Sequence, residues 1–313
     1  MKINFFTIIL SILVSSCSGS KSFQLGTELN TVPIVEESKS KTQIILNKDE
    51  KSINNELEKT NERHKNFGLF FGPGVNRTIS YTTFIDQLES SEINFDLVSG
   101  IGMGAVFAVL YSSGVKSSRI EWIFFKFLQE SRNVKLFSDE WINLVEKNFF
   151  PYIKYKDLNQ LPIKTYIPLF DQFTRKIKFV SRGSIRDILH MNLILTPKKS
   201  LKYISSLAYL EDPEEYLRFL GADFIISLNS LGNNIKFDYP NHFLSGFFGK
   251  IVSRKKASIG GLYYLISFPM QELSLDGRNE ISSLMNKNKN IAKKEINYIK
   301  ENKEQWLKSN DEN

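Results

Sequence analysis

Gly100-Ile101-Gly102-Met103-Gly104 stands where this 313-residue chain could most easily mount a nucleophile. An apolar run ends just before it, and the all-apolar stretch Ala105–Tyr111 begins just after. Strand, sharp turn and buried helix in that order make a G-x-S-x-G elbow, which lifts a serine clear of a sheet to attack an acyl carbonyl. Here the central residue is glycine, which has nothing to attack with. A serine in such a turn is strained by about 1–3 kcal/mol. Glycine takes positive φ with no Cβ to clash. Gly100 and Gly104 are expected for another reason: they let strand and helix approach closely.

Other reactive side chains do not converge in the sequence. His64, His190 and His242 are scattered, and none is spaced to pair with a serine and an acid. No cluster has metal-ligand spacing, so neither metal nor cofactor is expected. Ser99 should end the buried strand rather than stand at the apex. Cys17 is the only cysteine, which excludes a disulfide within the chain.

The elements that must position the elbow are legible as punctuated apolar runs. Phe67–Phe71 reads as a buried strand entering the loop Gly72-Pro73-Gly74. Thr78 to Ser90 suits a helix, Ile93–Val98 a second strand, and Ala105–Tyr111 a helix buried on every side. A more polar helical region follows, then strands at Lys164–Pro168 and Ile177–Val180 around a turn. Asp212-Pro213-Glu214-Glu215 is a helix start, with aspartate as cap and proline at the first position. That helix ends at Gly221 and leads into the strand Phe224–Leu228. Arg278 to Leu307 reads as an amphipathic helix with Ile281, Leu284, Ile291, Ile296 and Ile299 on one face. Alternating strands and helices imply an α/β fold with a largely parallel central sheet.

The amino end has a different character. Lys2 precedes the apolar run Phe5–Val14, which is too short to span a bilayer, and Val14-Ser15-Ser16-Cys17 follows. This resembles a bacterial lipobox, in which the cysteine is acylated and becomes the new amino terminus. It implies a signal peptide over 1–16 and an acylated Cys17 that anchors the chain to membrane lipid. Residues 17–65, rich in Ser, Lys, Asn and Glu, read as a flexible tether, and 66–313 as the folded domain. Ser18, where some inner-membrane lipoproteins carry aspartate, favours the outer membrane of a bacterial envelope. For an exported chain the net charge of +7 points to an anionic lipid surface rather than nucleic acid. Phe243–Lys256 mixes Phe247 and Phe248 with Lys250, Arg254, Lys255 and Lys256, a composition suited to membrane contact.

Three stretches together resemble the patatin-like phospholipases. Phe67–Arg77 is similar to that family's glycine-rich oxyanion loop, Gly100–Gly104 to its elbow, and Gly221-Ala222-Asp223 with the strand after it to its G-A-D segment. Leu161–Gly183, Ile185–Pro197 and the last helix fill the intervals, so the resemblance covers Asn66 to Leu307. It implies a three-layer sandwich and a serine–aspartate dyad. Carried over by position, the serine falls on Gly102. The aspartate lies sixteen residues before the glycine of G-A-D, with proline eight residues after it. That count reaches Ser205, followed by Ser206, with Pro213 in the proline place. Both dyad members are therefore missing. Pro73 also has no N–H to offer an oxyanion, and the loop's usual arginine position holds Asn76, with Arg77 one place on. The resemblance implies a pseudo-phospholipase that binds phospholipid, a fatty-acyl ligand or an envelope protein. The alternative is a working acyl hydrolase whose nucleophile is Ser99, Ser205 or Ser206.

Overall fold

The computed structural model describes residues 66–209, 217–231, 263–270 and 281–308. The signal peptide, Cys17, the tether, the helix start at Asp212–Glu215 and the whole of Phe243–Lys256 lie outside these residues.

The chain forms a mixed α/β fold around a seven-stranded, largely parallel sheet whose order is β4 (Lys176–Val180), β3 (Lys164–Asp171), β2 (Leu97–Gly100), β1 (Phe67–Phe71), β6 (Phe224–Asn229) and β7 (Tyr263–Ser267), with β5 (Tyr203–Ser205) paired to β3 off that path. β1 lies between β2 and β6, parallel to both, and β7 runs parallel beyond β6. Every residue of β1 is buried. Because alternate side chains face opposite ways, Phe67, Leu69 and Phe71 fill one face while Phe70 fills the other. A strand covered on both faces reads as a continuous apolar run, which FGLFF is.

The long strand β3 (Lys164–Asp171) changes partners along its length. Its first residues pair in parallel with β2, Ser99 opposite Tyr166, and its last pair antiparallel with β5 (Tyr203–Ser205), Leu169 opposite Ser205. On its other edge runs β4 (Lys176–Val180), joined to it by a hairpin. Thus β5 takes over the edge of β3 where β2 stops and turns into the elbow.

Six α-helices of nine residues or more are described. α1 (Tyr81–Glu89) continues a 3-10 turn at Val75–Ser80, and α2 (Met103–Ser112) packs against β1, β2 and β3. α3 (Ser117–Glu130) and α4 (Asp139–Phe149) pack on each other. α4 opens at Ser138, whose hydroxyl accepts the Trp141 N–H, with Asp139 and Glu140 in the first turn. α5 (Ile185–Leu193) lies against β3 and β5, and the 28-residue α6 (Ile281–Lys308) lies against α1. No described helix is long and apolar enough to cross a membrane.

Four differences from the sequence reading have physical causes. β2 begins at Leu97 rather than Ile93, because the Asp96 carboxylate accepts the Phe67 N–H at 2.7 Å while the Asp96 N–H donates to the Phe67 carbonyl at 2.8 Å. Ile93 and Phe95 are buried as packing instead, the Phe95 ring stacked 4.8 Å from Phe67. β5 has only three residues, too few for a periodic signal. β7 is half-buried at four of five positions, so its pattern is weak. On α6 the centre of the buried face is Ala292 and Asn288, while Ile291 is half-buried. Small and polar residues are undervalued by an apolar count.

Candidate active site

The elbow closes between the ends of β1 and β2. Gly102 caps α2 with φ 59° and ψ −131°, a region that L side chains enter only under strain. Gly100 and Gly104 have a different role. A Cβ on Gly100 would sit 2.8 Å from the Ala105 nitrogen and overlap the Gly104 carbonyl. One on Gly104 would lie 2.8 Å from the Phe71 carbonyl carbon and overlap the carbonyl oxygens of Phe71 and Gly72. Around Gly102 there is room: a Cβ would find nothing nearer than Leu207 Cδ2 at 3.9 Å and Pro73 Cβ at 4.0 Å. The place of a serine side chain is thus walled by two apolar groups.

The turn is held through its backbone. Ile101 N–H donates to the Phe71 carbonyl at 3.2 Å, and Ala105 N–H to the Gly102 carbonyl at 3.1 Å. From α5 the Asn192 side chain makes two bonds to Gly102 itself. Its Nδ2 donates to the Gly102 carbonyl at 2.9 Å, and its Oδ1 accepts the Gly102 N–H at 3.2 Å. Asn192 is fully buried, so both bonds form away from competing water. Sequence reasoning missed this residue. The available signal was one amide among the apolar Ile188, Leu189 and Leu193 of a helix face.

The structure brings Ser205 beside the elbow. It ends β5 opposite Leu169, three residues along β3 from the last β2 pair at Tyr166, and Leu207, two residues on, forms the wall opposite Gly102. Ser205 Oγ accepts the Leu207 N–H at 3.3 Å, and Ser206 Oγ donates to the Pro168 carbonyl at 2.8 Å. Among the described residues no hydrogen bond joins either serine to a carboxylate. Ser99 is wholly buried in β2 and its hydroxyl has no hydrogen-bond partner among the described residues.

The glycine loop is consumed by structure. Gly72 N–H donates to the Leu228 carbonyl at 2.9 Å, and a Cβ there would lie 2.5 Å from that same oxygen. The buried Tyr81 hydroxyl reaches the carbonyls of Gly72 at 2.9 Å and Leu228 at 3.0 Å, and accepts the Ser230 N–H at 3.2 Å. Burial pushes the Tyr81 phenol above its ordinary range. The Pro73 carbonyl accepts from Ser230 Oγ at 3.2 Å, and Val75 follows with φ 50°. Gly74, at φ 167°, is extended. Arg77 is buried and donates to the Leu231 carbonyl at 3.2 Å, and burial lowers its guanidinium to about 10. Asn76 is buried beside it. Tyr81, which the sequence did not single out, is what ties loop to sheet.

Of the other sequence candidates, His190 lies on α5 with its Nδ1 hydrogen-bonded to the Glu146 carboxylate, which also pairs with Arg186 at 3.1 Å. Glu146 and Arg186 line a cleft of about 890 Å³ together with Phe150, Tyr155 and Asp157. None of the elbow, glycine-loop or β5 residues lines it. His64, His242 and the basic aromatic segment from Phe247 to Lys256 lie outside the described residues.

No protein-family model matches the chain, and no curated protein does. Several solved structures are similar, two of which are these. One is the type III effector protein ExoU, at 12% identity and TM-score 0.39, covering 74% of this chain and 53% of that one. The other is VipD from Legionella pneumophila, at 11% identity and TM-score 0.42, covering 78% of this chain and 67% of that one. This chain therefore spans about half the length of ExoU. Similarity at that level settles no activity.

Proposed function

We propose that this protein is a patatin-like pseudo-phospholipase, anchored in a bacterial envelope through Cys17, that binds lipid or a protein partner without hydrolysing ester bonds. The observation that carries the reading is Gly102 at the apex of an intact elbow. The turn, its two close-packed glycines and its helix are all present, and the one atom chemistry needs is missing. The dyad-acid position supports it: Ser205 is occupied as a cap for the Leu207 N–H, and a hydroxyl is a poor general base. The glycine loop supports it too, since the Gly72 N–H is committed to Leu228 and Pro73 has none.

Ser99, Ser205 and Ser206 remain the serines through which a hydrolase reading would work. Each is at least 99% buried, and none is paired with an acid among the described residues. The expected result is that purified protein turns over neither short-chain esters nor phospholipids above a blank. Turnover abolished by changing one of those serines to alanine would overturn the reading and identify the nucleophile. The double change Gly102→Ser with Ser205→Asp checks the positional assignment through binding of a serine-directed phosphonate at residue 102.

A further inference from the structure

We infer that the β3–β4 hairpin docks the elbow end of the sheet onto an anionic phospholipid surface, with Phe173 entering the interface and the basic residues beside it meeting the headgroups. β1, β2 and β3 run parallel, so the glycine loop, the elbow and this hairpin all leave the same end of the sheet. Gly100 ends β2 one place after the Ser99–Tyr166 pair, at the level of Ile167, whereas β3 continues to Asp171. Those four further residues carry the hairpin roughly 13 Å beyond the elbow, at about 3.3 Å per residue.

At its tip Phe173 is 71% exposed, the most exposed large apolar side chain among the described residues. The turn is well ordered beneath it. Asp171 Oδ1 accepts the N–H groups of Phe173 at 3.0 Å and Thr174 at 3.1 Å, and Arg175 holds φ 52°. A single exposed phenylalanine is ordinary on a protein surface; here the ordered turn and the basic residues beside it give the ring a use.

The surroundings specify that use. Gln172 ties the hairpin base to the neighbouring loop, donating its backbone N–H to the Lys202 carbonyl at 2.9 Å and its Nε2 to the Leu201 carbonyl at 2.6 Å. That junction brings the segment carrying Arg175 and Lys176 against the one carrying Lys199 and Lys202, and none of the four has an ion-pair partner among the described residues. The two nearby carboxylates are neutralised locally: Asp171 by Lys178 at 3.5 Å and Asp139 by Lys198 at 2.7 Å. An exposed aromatic beside basic segments matches an anionic bilayer, where apolar insertion and headgroup attraction act together. The proposal depends on the envelope reading only for its choice of occupant, and not on whether the elbow is inactive.

The test uses the full chain with Cys17→Ser and Phe173→Cys, labelled at residue 173 with a polarity-sensitive dye. The dye reports locally, whatever the amino-terminal apolar run does. Phosphatidylglycerol vesicles should shift its emission to the blue, and phosphatidylcholine vesicles should not. Lys199→Glu with Lys202→Glu should weaken the titration roughly tenfold or more. Thermal melts, expected to be unchanged because these side chains are exposed, separate lost docking from lost fold. A dye that keeps its aqueous emission while the protein sediments with anionic vesicles would overturn the hairpin, yet leave the envelope reading standing. An equal shift on both lipids would overturn it too, since charge would then play no part. Ester turnover bears on the inactive elbow alone.

Discussion

The elbow and the β3–β4 hairpin leave the same end of the same sheet, yet they are built oppositely. Around the elbow every residue from Phe71 to Tyr81 and from Leu97 to Leu110 is buried. Its geometry is set by backbone contacts that a single methyl group would break. The hairpin's turn is anchored by buried Asp171 and presents Phe173, Thr174 and Arg175 to solvent. The difference separates what the fold demands from what a surface offers. Two of the elbow's three glycines are fixed by packing. The central one is fixed only by φ, and it is the one at which the proposed function places a lost nucleophile.

That contrast can be broken by substitution. The largest effect is expected at Gly104→Ala, where a Cβ would overlap the Phe71 and Gly72 carbonyls. The loss should exceed about 4 kcal/mol or prevent folding, whereas Gly102→Ala, with open space and only a strained φ, should lose about 1–3 kcal/mol. Chemical denaturation of the two variants side by side decides it, and equal losses would refute the distinction. Next is Asn192→Leu, which removes both bonds to Gly102 and leaves that peptide's buried groups short of partners. A loss of about 2–4 kcal/mol is expected, with faster hydrogen exchange at the Gly102 amide as the local signature.

The smallest effect sharpens the hairpin side. Burial pushes the Asp171 carboxyl up, but the Thr174 and Phe173 N–H groups and the Lys178 ammonium outweigh it and hold it below the usual carboxylate range. Its folded value is depressed, so its contribution is present above the unfolded value of about 3.9 and is lost as pH falls through the folded one. Asp171→Asn should cost about 1 kcal/mol at pH 7 and flatten the fall in stability below pH about 4. An unchanged acid limb would show that the turn does not depend on this charge.

Several of these features were legible in the chain before folding. Phe67–Phe71 is a strand buried on both faces and reads as one uninterrupted apolar run. Gly100 to Gly104 announces a sharp turn through its spacing, and the glycine at its centre is visible at once because a residue type needs no structure to be read. Asn192 and Tyr81 were not legible. Each acts through a long-range bond, to Gly102 ninety positions away and to Leu228 a hundred and forty-seven away, and no local pattern marks a polar side chain for such a partner.

Sequence alone determined the periodicities, the turn chemistry and the glycine at the apex of the elbow, because those depend on neighbours within a few residues. Tertiary structure decided which glycines are obligatory and where Ser205 and Leu207 stand relative to Gly102. It also decided which basic segments meet at the base of the hairpin that carries Phe173. Those are facts about distance in space, and they follow from β3 handing its edge from β2 to β5, a pairing that no single stretch of the chain encodes.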